Sequence, residues 1–409
     1  MRTLRSIVHL ALPLVAVLLL TLGAAPGVAS AAPVREQFGA TLAGEERRVF
    51  DAYVSAQVFH EAAMDAYWSH VDKLRERRKA KKKRNEPLTT ADYVQQQPPV
   101  YSGPSLPKSL ARRWAEFQAA QEQKTPSPPR DEIANLADFV ASARKHYAFV
   151  PEQIPERAFK ERYAREALAL GLNGDQVVRV YALETGGFGT ADMQAGIHPI
   201  TRKGAPISTA LGYAQLLAAN SINELSRHGM GFVARLNQMA QRTEPGSQRQ
   251  RQLLHKAKAL ERMVRKAKSV PYIWSRHVAL ANTDVGRGIH AVNLDADIGP
   301  WLQVIKLKGL KETAEKAGRG RLSGAEIELM NLAGPGTGLE MMEPAGRSAP
   351  TTNFFARAAY YRNTIVRGKT SQELLQALDE RMEANLKNAG SIEFKDVFLR
   401  LDGRARAGR

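Results

Sequence analysis

Along most of this chain, apolar residues recur three and four positions apart, and strict alternation of apolar and polar residues is scarce. The first pattern builds helices with one buried face, and the rarity of the second leaves little from which to build a sheet. The expected fold class is therefore mainly α. Over residues 45 to about 78, Val49, Tyr53, Ala56, Phe59, Ala63, Ala66, Tyr67 and Val71 share one helical stripe. That stripe runs into the basic block of residues 79–84, which a core cannot hold and which reads as a solvated helix end.

Proline divides the chain. Gln95-Gln96-Gln97-Pro98-Pro99 and Thr125-Pro126-Ser127-Pro128-Pro129 mark extended stretches. Residues 32–130 thus read as an N-terminal helical region with Pro-rich linkers, carrying a short helix with Trp114 and Phe117. From Asp131 the pattern is more regular, and residues 131–400 read as one helical domain. Its first helix is expected to bury Ile133, Leu136, Ala137, Val140 and Ala141, and its second to run from Glu156 to Leu170. A further helix is expected from Thr209 to about Ser226. Residues 401–409 read as a disordered tail.

The N-terminus has the form of an export signal: Arg2 and Arg5, an apolar run over residues 7–22, and the small-residue site Ala29-Ser30-Ala31. Cleavage after Ala31 and a periplasmic or secreted protein are expected. The chain has no cysteine and a formal net charge of +18. Disulfides and thiolate chemistry are excluded, and an exported basic protein favours polyanions of the cell wall or lipid headgroups over nucleic acid. A basic helical stretch at about 227–320 is the natural site for such contact, although its aliphatic stripe also fits ordinary core packing. The nine histidines show no ligand spacing, so neither a metal nor a cofactor is expected. His198 reads as an ordinary loop residue.

The stretch with most chemical content is residues 177–187. Asn173 and Gln176 have capping-box spacing, and Val177, Val180, Tyr181 and Glu184 then share one face before Gly186 and Gly187 break the helix. A carboxyl on a core-facing stripe at a helix C-terminus is pushed toward its neutral form by desolvation and by the helix dipole. A carboxyl that keeps its proton near neutral pH meets the need of a general acid. Asp284, Asp295 and Asp297 are candidates for a second carboxylate but read better as caps and turn residues beside glycines.

Three pieces resemble, in order, the motifs of lytic transglycosylases and goose-type lysozymes. Glu184-Thr185-Gly186 is similar to the family's Glu-Ser-Gly. Gly212-Tyr213-Ala214-Gln215-Leu216 is similar to Gly-Leu-Met-Gln-Leu, and Met330-Asn331-Leu332-Ala333-Gly334-Pro335-Gly336 to Ala-Tyr-Asn-Ala-Gly-Pro-Gly. The resemblance covers residues 156–340 and implies a lysozyme-like helical domain, with the basic stretch as an insertion. It also implies cleavage of the β-1,4 bond between N-acetylmuramic acid and N-acetylglucosamine in peptidoglycan. Glu184 would be the acid and then the base, yielding 1,6-anhydro ends, with Thr185, Tyr213, Gln215, Asn331 and Gly334 lining the glycan groove. In the third motif Asn331 stands where the family has Tyr, so the family's tyrosine hydroxyl is missing there. Tyr360 and Tyr361 are candidates to replace it. A hydrolytic lysozyme and a non-catalytic wall-binding protein of the same fold are the alternative readings.

Overall fold

The computed structural model describes residues 31–124 and 132–407. The expected signal peptide, residues 1–31, lies outside the described residues except for Ala31, the first residue of a helix. In chain order the helices are α1 (Ala31–Ala40), α2 (Gly44–Lys83), α3 (Lys108–Lys124), α4 (Leu136–Tyr147), α5 (Glu156–Ala169), α6 (Gly174–Thr185), α7 (Ala218–Gln241), α8 (Gln248–Lys268) and α9 (Trp274–Ala281). They continue with α10 (Asp284–His290), α11 (Ile298–Lys316), α12 (Gly324–Ala333), α13 (Pro335–Met342), α14 (Pro344–Arg347), α15 (Arg357–Arg362), α16 (Ser371–Asn385) and α17 (Ala389–Ala407). Among the described residues there are only isolated β-bridges, so the protein is mainly α. None of these helices is long and apolar enough to cross a membrane.

The chain forms two compact units. One joins the N-terminal region to residues 339–374. Phe38, Phe50, Leu110 and Trp114 make its small core, and the buried Arg78 ties α2 to the later segment. Its guanidinium donates to Glu340 Oε1 at 2.8 Å, to the Asp92 carbonyl at 3.0 Å and to the Asn353 carbonyl at 2.6 Å. The Asn353 amide in turn accepts from Val94 N and donates to Val94 O. Long-range polar contacts of this kind leave no local periodic trace, and the linear reading kept residues 339–374 with the chain around them. Phe59, expected on the buried stripe, is 79% exposed. Tyr360 and Tyr361 pack on Trp68 within this unit.

The other unit comprises residues 133–338 and 375–407 and carries the larger core. The antiparallel pair α7 and α8 contributes Ile222, Leu225, Leu236, Leu253, Leu260 and Met263 to that core. The basic stretch is therefore a packed hairpin. Its most buried cation, Lys256, is neutralised by Glu152, Asp295 and Asp297 at 2.6, 2.9 and 2.7 Å.

Three local expectations are corrected. In α4 the buried face is Phe139, Ala143 and Tyr147, whereas Ala137 and Ala141 are exposed; the large aromatics outweigh small alanines when a helix chooses its face. Residues 209–216 are not helical. Leu211 and Leu216 exchange both backbone hydrogen bonds at 3.0 Å, around Gly212 at φ +75° and Gln215 at φ +42°. Finally, the expected tail from 401 is helical as far as Ala407, as the end of α17.

Candidate functional site

Helix α6 is fixed at both ends. Asn173 Oδ1 accepts from Gln176 N at 2.9 Å and Gln176 Oε1 accepts from Asn173 N at 3.1 Å, a reciprocal capping box. The Gln176 amide also donates to the Leu322 carbonyl at 2.8 Å, tying the start of α6 to the approach to α12. At the other end Gly186 adopts φ +64° and stops the helix. Orphan carbonyls there are taken by side-chain amides, Asn385 on Ala182 at 2.9 Å and Asn388 on Gly186 at 2.8 Å. Nearly all of α6 from Gln176 to Thr185 is buried.

Glu184 is held at the end of this helix with 4% exposure and meets α12. There it faces the carboxyl of Glu328, 1% exposed, which acts on it electrostatically. Asn331 lies one turn further along α12. Its amide donates to Glu184 Oε1 at 3.3 Å and reaches both Glu328 oxygens at 3.4 Å. Burial and the neighbouring Glu328 carboxyl hold Glu184 well above the ordinary carboxyl range. Burial also pushes Glu328 up, to about 7, against the opposing pull of Glu184, Asn331 and the ammonium of Lys306. Two buried carboxyls this close cannot both ionise cheaply, so the pair retains a proton near neutral pH.

The other site residues expected from the sequence are distributed as follows. Thr185 is 1% exposed and spends its hydroxyl on the Tyr181 carbonyl at 2.6 Å. Tyr213 is a core residue, ringed by Phe159, Tyr163, Tyr181 and Phe394, and its hydroxyl donates to Glu156. Gln215 is 7% exposed; its amide nitrogen donates to the Gly212 carbonyl at 2.7 Å, while its Oε1 is buried without a partner among the described residues. Gly334, at φ +88°, ends α12 and opens the turn into Pro335. Of this set, direct hydrogen bonds bring together only Glu184 and Asn331.

Asp295 caps the start of α11 through the backbone nitrogens of Asp297 and Ile298, and Asp297 pairs with Arg162, Arg249 and Lys256. Asp284 accepts from Ser142, Lys145 and His146. His198 accepts from Ile200 N and Thr201 N in its own turn. The carboxyl that meets Glu184 is Glu328, which sequence reasoning missed. Its signal was its place one turn before Asn331, between Ile327 and Leu329 on the apolar stretch of α12.

A cavity of about 240 Å³ opens between α7 and α11, lined among others by Glu224, Arg227, His228, Tyr272, Lys306 and Pro335. Lys306 acts electrostatically on both Glu328 and Glu224, so the acid pair and the cavity share one cation. Comparison with protein-family models, curated proteins and solved structures returned no match to this chain.

Proposed function

We propose that the protein is an exported peptidoglycan-cleaving enzyme of the lytic transglycosylase type, with a lysozyme-like helical unit and Glu184 as its single acid and base. The observation that carries the reading is the buried Glu184–Glu328 pair, which keeps a proton on a helix-end carboxyl near neutral pH. The three motifs in family order and the leader-like N-terminus add to it. Glu184 gives its proton to the glycosidic oxygen as the bond to C1 breaks. The resulting carboxylate then takes the proton of the muramic acid 6-hydroxyl as that oxygen bonds to C1, closing the 1,6-anhydro ring. Asn331 holds Glu184 Oε1 from one side throughout.

The shared contact of the two carboxyls with Asn331 bears on the outcome. A two-carboxylate hydrolase needs its carboxyls about 5–10 Å apart, on opposite sides of the sugar. One Asn331 amide nitrogen reaches both carboxyls, at 3.3 and 3.4 Å, so they stand side by side on one donor, which favours the substrate-assisted route. A second reading, a wall-binding protein without activity, is favoured by one observation: the 4% exposure of Glu184, which a substrate would have to increase. Mass spectrometry of purified sacculi after digestion separates the readings. Anhydro-muropeptides are expected. Reducing ends would make the protein a hydrolase, and protein that pellets with intact sacculi would make it a binder.

A further inference from the structure

We infer that the corner joining α8 to α9, residues 269–273, is a docking surface for a bilayer of anionic phospholipid, with Tyr272 and Ile273 entering its interface. The apolar residues at this corner divide into two sets. Val270 and, at the start of α9, Trp274 pack against the large core. Pro271, Tyr272 and Ile273 are exposed instead, the last two at 56% and 54%. A single exposed apolar side chain is ordinary, but three in succession on one turn leave a contiguous apolar tip in water. The tip is also rigid. Ile273 N donates to the Pro271 carbonyl at 2.7 Å, and the Ile273 carbonyl accepts from Arg276 N at 2.9 Å and His277 N at 3.1 Å. The Tyr272 hydroxyl donates to Asn223 Oδ1 at 2.9 Å, and its ring meets His277 edge-on. A tip ordered before it meets its partner loses little conformational entropy on binding.

Charge decides what that partner is. From Arg262 to Thr283 the chain has no Asp or Glu, and Arg262, Arg265, Lys266, Lys268 and Arg276 flank the tip on both sides. Arg265, Lys268 and Arg276 are exposed, and the Arg227 guanidinium of α7 lies over the Tyr272 ring. Nearby carboxyls are engaged elsewhere: Glu261 has Arg265 at 3.5 Å, Glu224 feels the ammonium of Lys306, and Glu312 is paired with Lys308. An apolar tip ringed by cations fits a surface that is anionic at its face and apolar just beneath. A hydrated wall polymer would answer the cations but leave Pro271 and Ile273 in water, whereas a bilayer takes both. Tyrosine rings concentrate at the headgroup level for the same reason. Docking of this kind is independent of glycan cleavage.

The chain has no cysteine, so Ile273→Cys supplies a single thiol for an environment-sensitive fluorophore. Ile392→Cys, at an exposed position on α17, supplies the control. The full chain is mixed with vesicles of equal parts phosphatidylglycerol and phosphatidylcholine, with phosphatidylcholine vesicles, and with lipid-free sacculi. A blue shift of the label at 273 on the anionic vesicles alone is expected, with the label at 392 unchanged. Because the label reports position 273 itself, attachment through the apolar run at residues 7–22 does not mimic this result. Lys268→Gln with Arg276→Gln is expected to raise the lipid concentration for half the shift about tenfold. If circular dichroism shows that double variant to be unfolded, Lys268→Gln alone is expected to raise it about fivefold. A label at 273 that stays in water on anionic vesicles would overturn the proposal. So would an equal shift on neutral vesicles, on sacculi or at position 392, or a half-shift concentration unchanged in the folded charge variant.

Discussion

Glu184 and Glu328 are useful together because neither is solvated and one proton serves both. A pair that keeps a proton the unfolded chain would release makes the fold depend on pH. Glu328 moves from an ordinary 4.5 to about 7 on folding. Below the lower value both states are protonated and stability is complete. As pH rises through the window the unfolded chain loses its proton first, so stability falls, by roughly 3 kcal/mol for such a shift. Chemical denaturation of wild type between pH 5 and pH 8 is expected to show this loss, and Glu328→Gln to flatten it. The same variant removes a carboxylate beside Glu184 and lets the latter ionise sooner. The alkaline limb of its activity profile is therefore expected to move to lower pH. A limb that stays in place would separate Glu328 from the chemistry. At this scale the sequence disclosed half the pair: the core-facing position and helix-end dipole of Glu184 are local facts. Its partner comes from α12, and a contact between helices that distant in sequence leaves no periodic mark on either.

The elements tell a similar story. The capping box, the stripe and the glycine stop of α6 were all legible, because each depends on residues within four positions of one another. Asn173→Ala is expected to cost about 1 kcal/mol, read as a lower denaturation midpoint with an unchanged slope. The segment that was misread, 209–216, has helical composition but left-handed backbone at Gly212 and Gln215. A Cβ at position 212 would stand 2.4 Å from Gln303 Nε2, so Gly212→Ala combines backbone strain with a clash. A loss of about 1–3 kcal/mol is expected; a neutral substitution would mean that the turn is not needed. The same logic explains Tyr213. A tyrosine in a motif position looked like a groove residue, but the turn delivers it into an aromatic cluster beside Phe159, Tyr181 and Phe394.

For the whole molecule, composition identified a helical, basic chain, and it could not reveal that residues 339–374 rejoin the N-terminal region through Arg78, Glu340 and Asn353. Nor could it say how the positive charge is spent. Much of it lies in ion pairs, as with Lys256 and Arg249, but the formal excess of +18 remains and must act on whatever anionic surface the protein meets. Pelleting with purified sacculi is therefore expected to weaken several-fold between low and physiological salt; salt-independent pelleting would place association in a neutral groove instead. The central claim is that one buried carboxyl does the chemistry. Its most direct measurement is the rate at which wild type and Glu184→Gln clear a suspension of purified sacculi at pH 6–7, with melting temperature and pelleting checked in parallel. A loss of 10²–10⁴-fold or more, the usual worth of a general acid, with fold and pelleting intact, is the predicted result. Clearance by Glu184→Gln at the wild-type rate would contradict it.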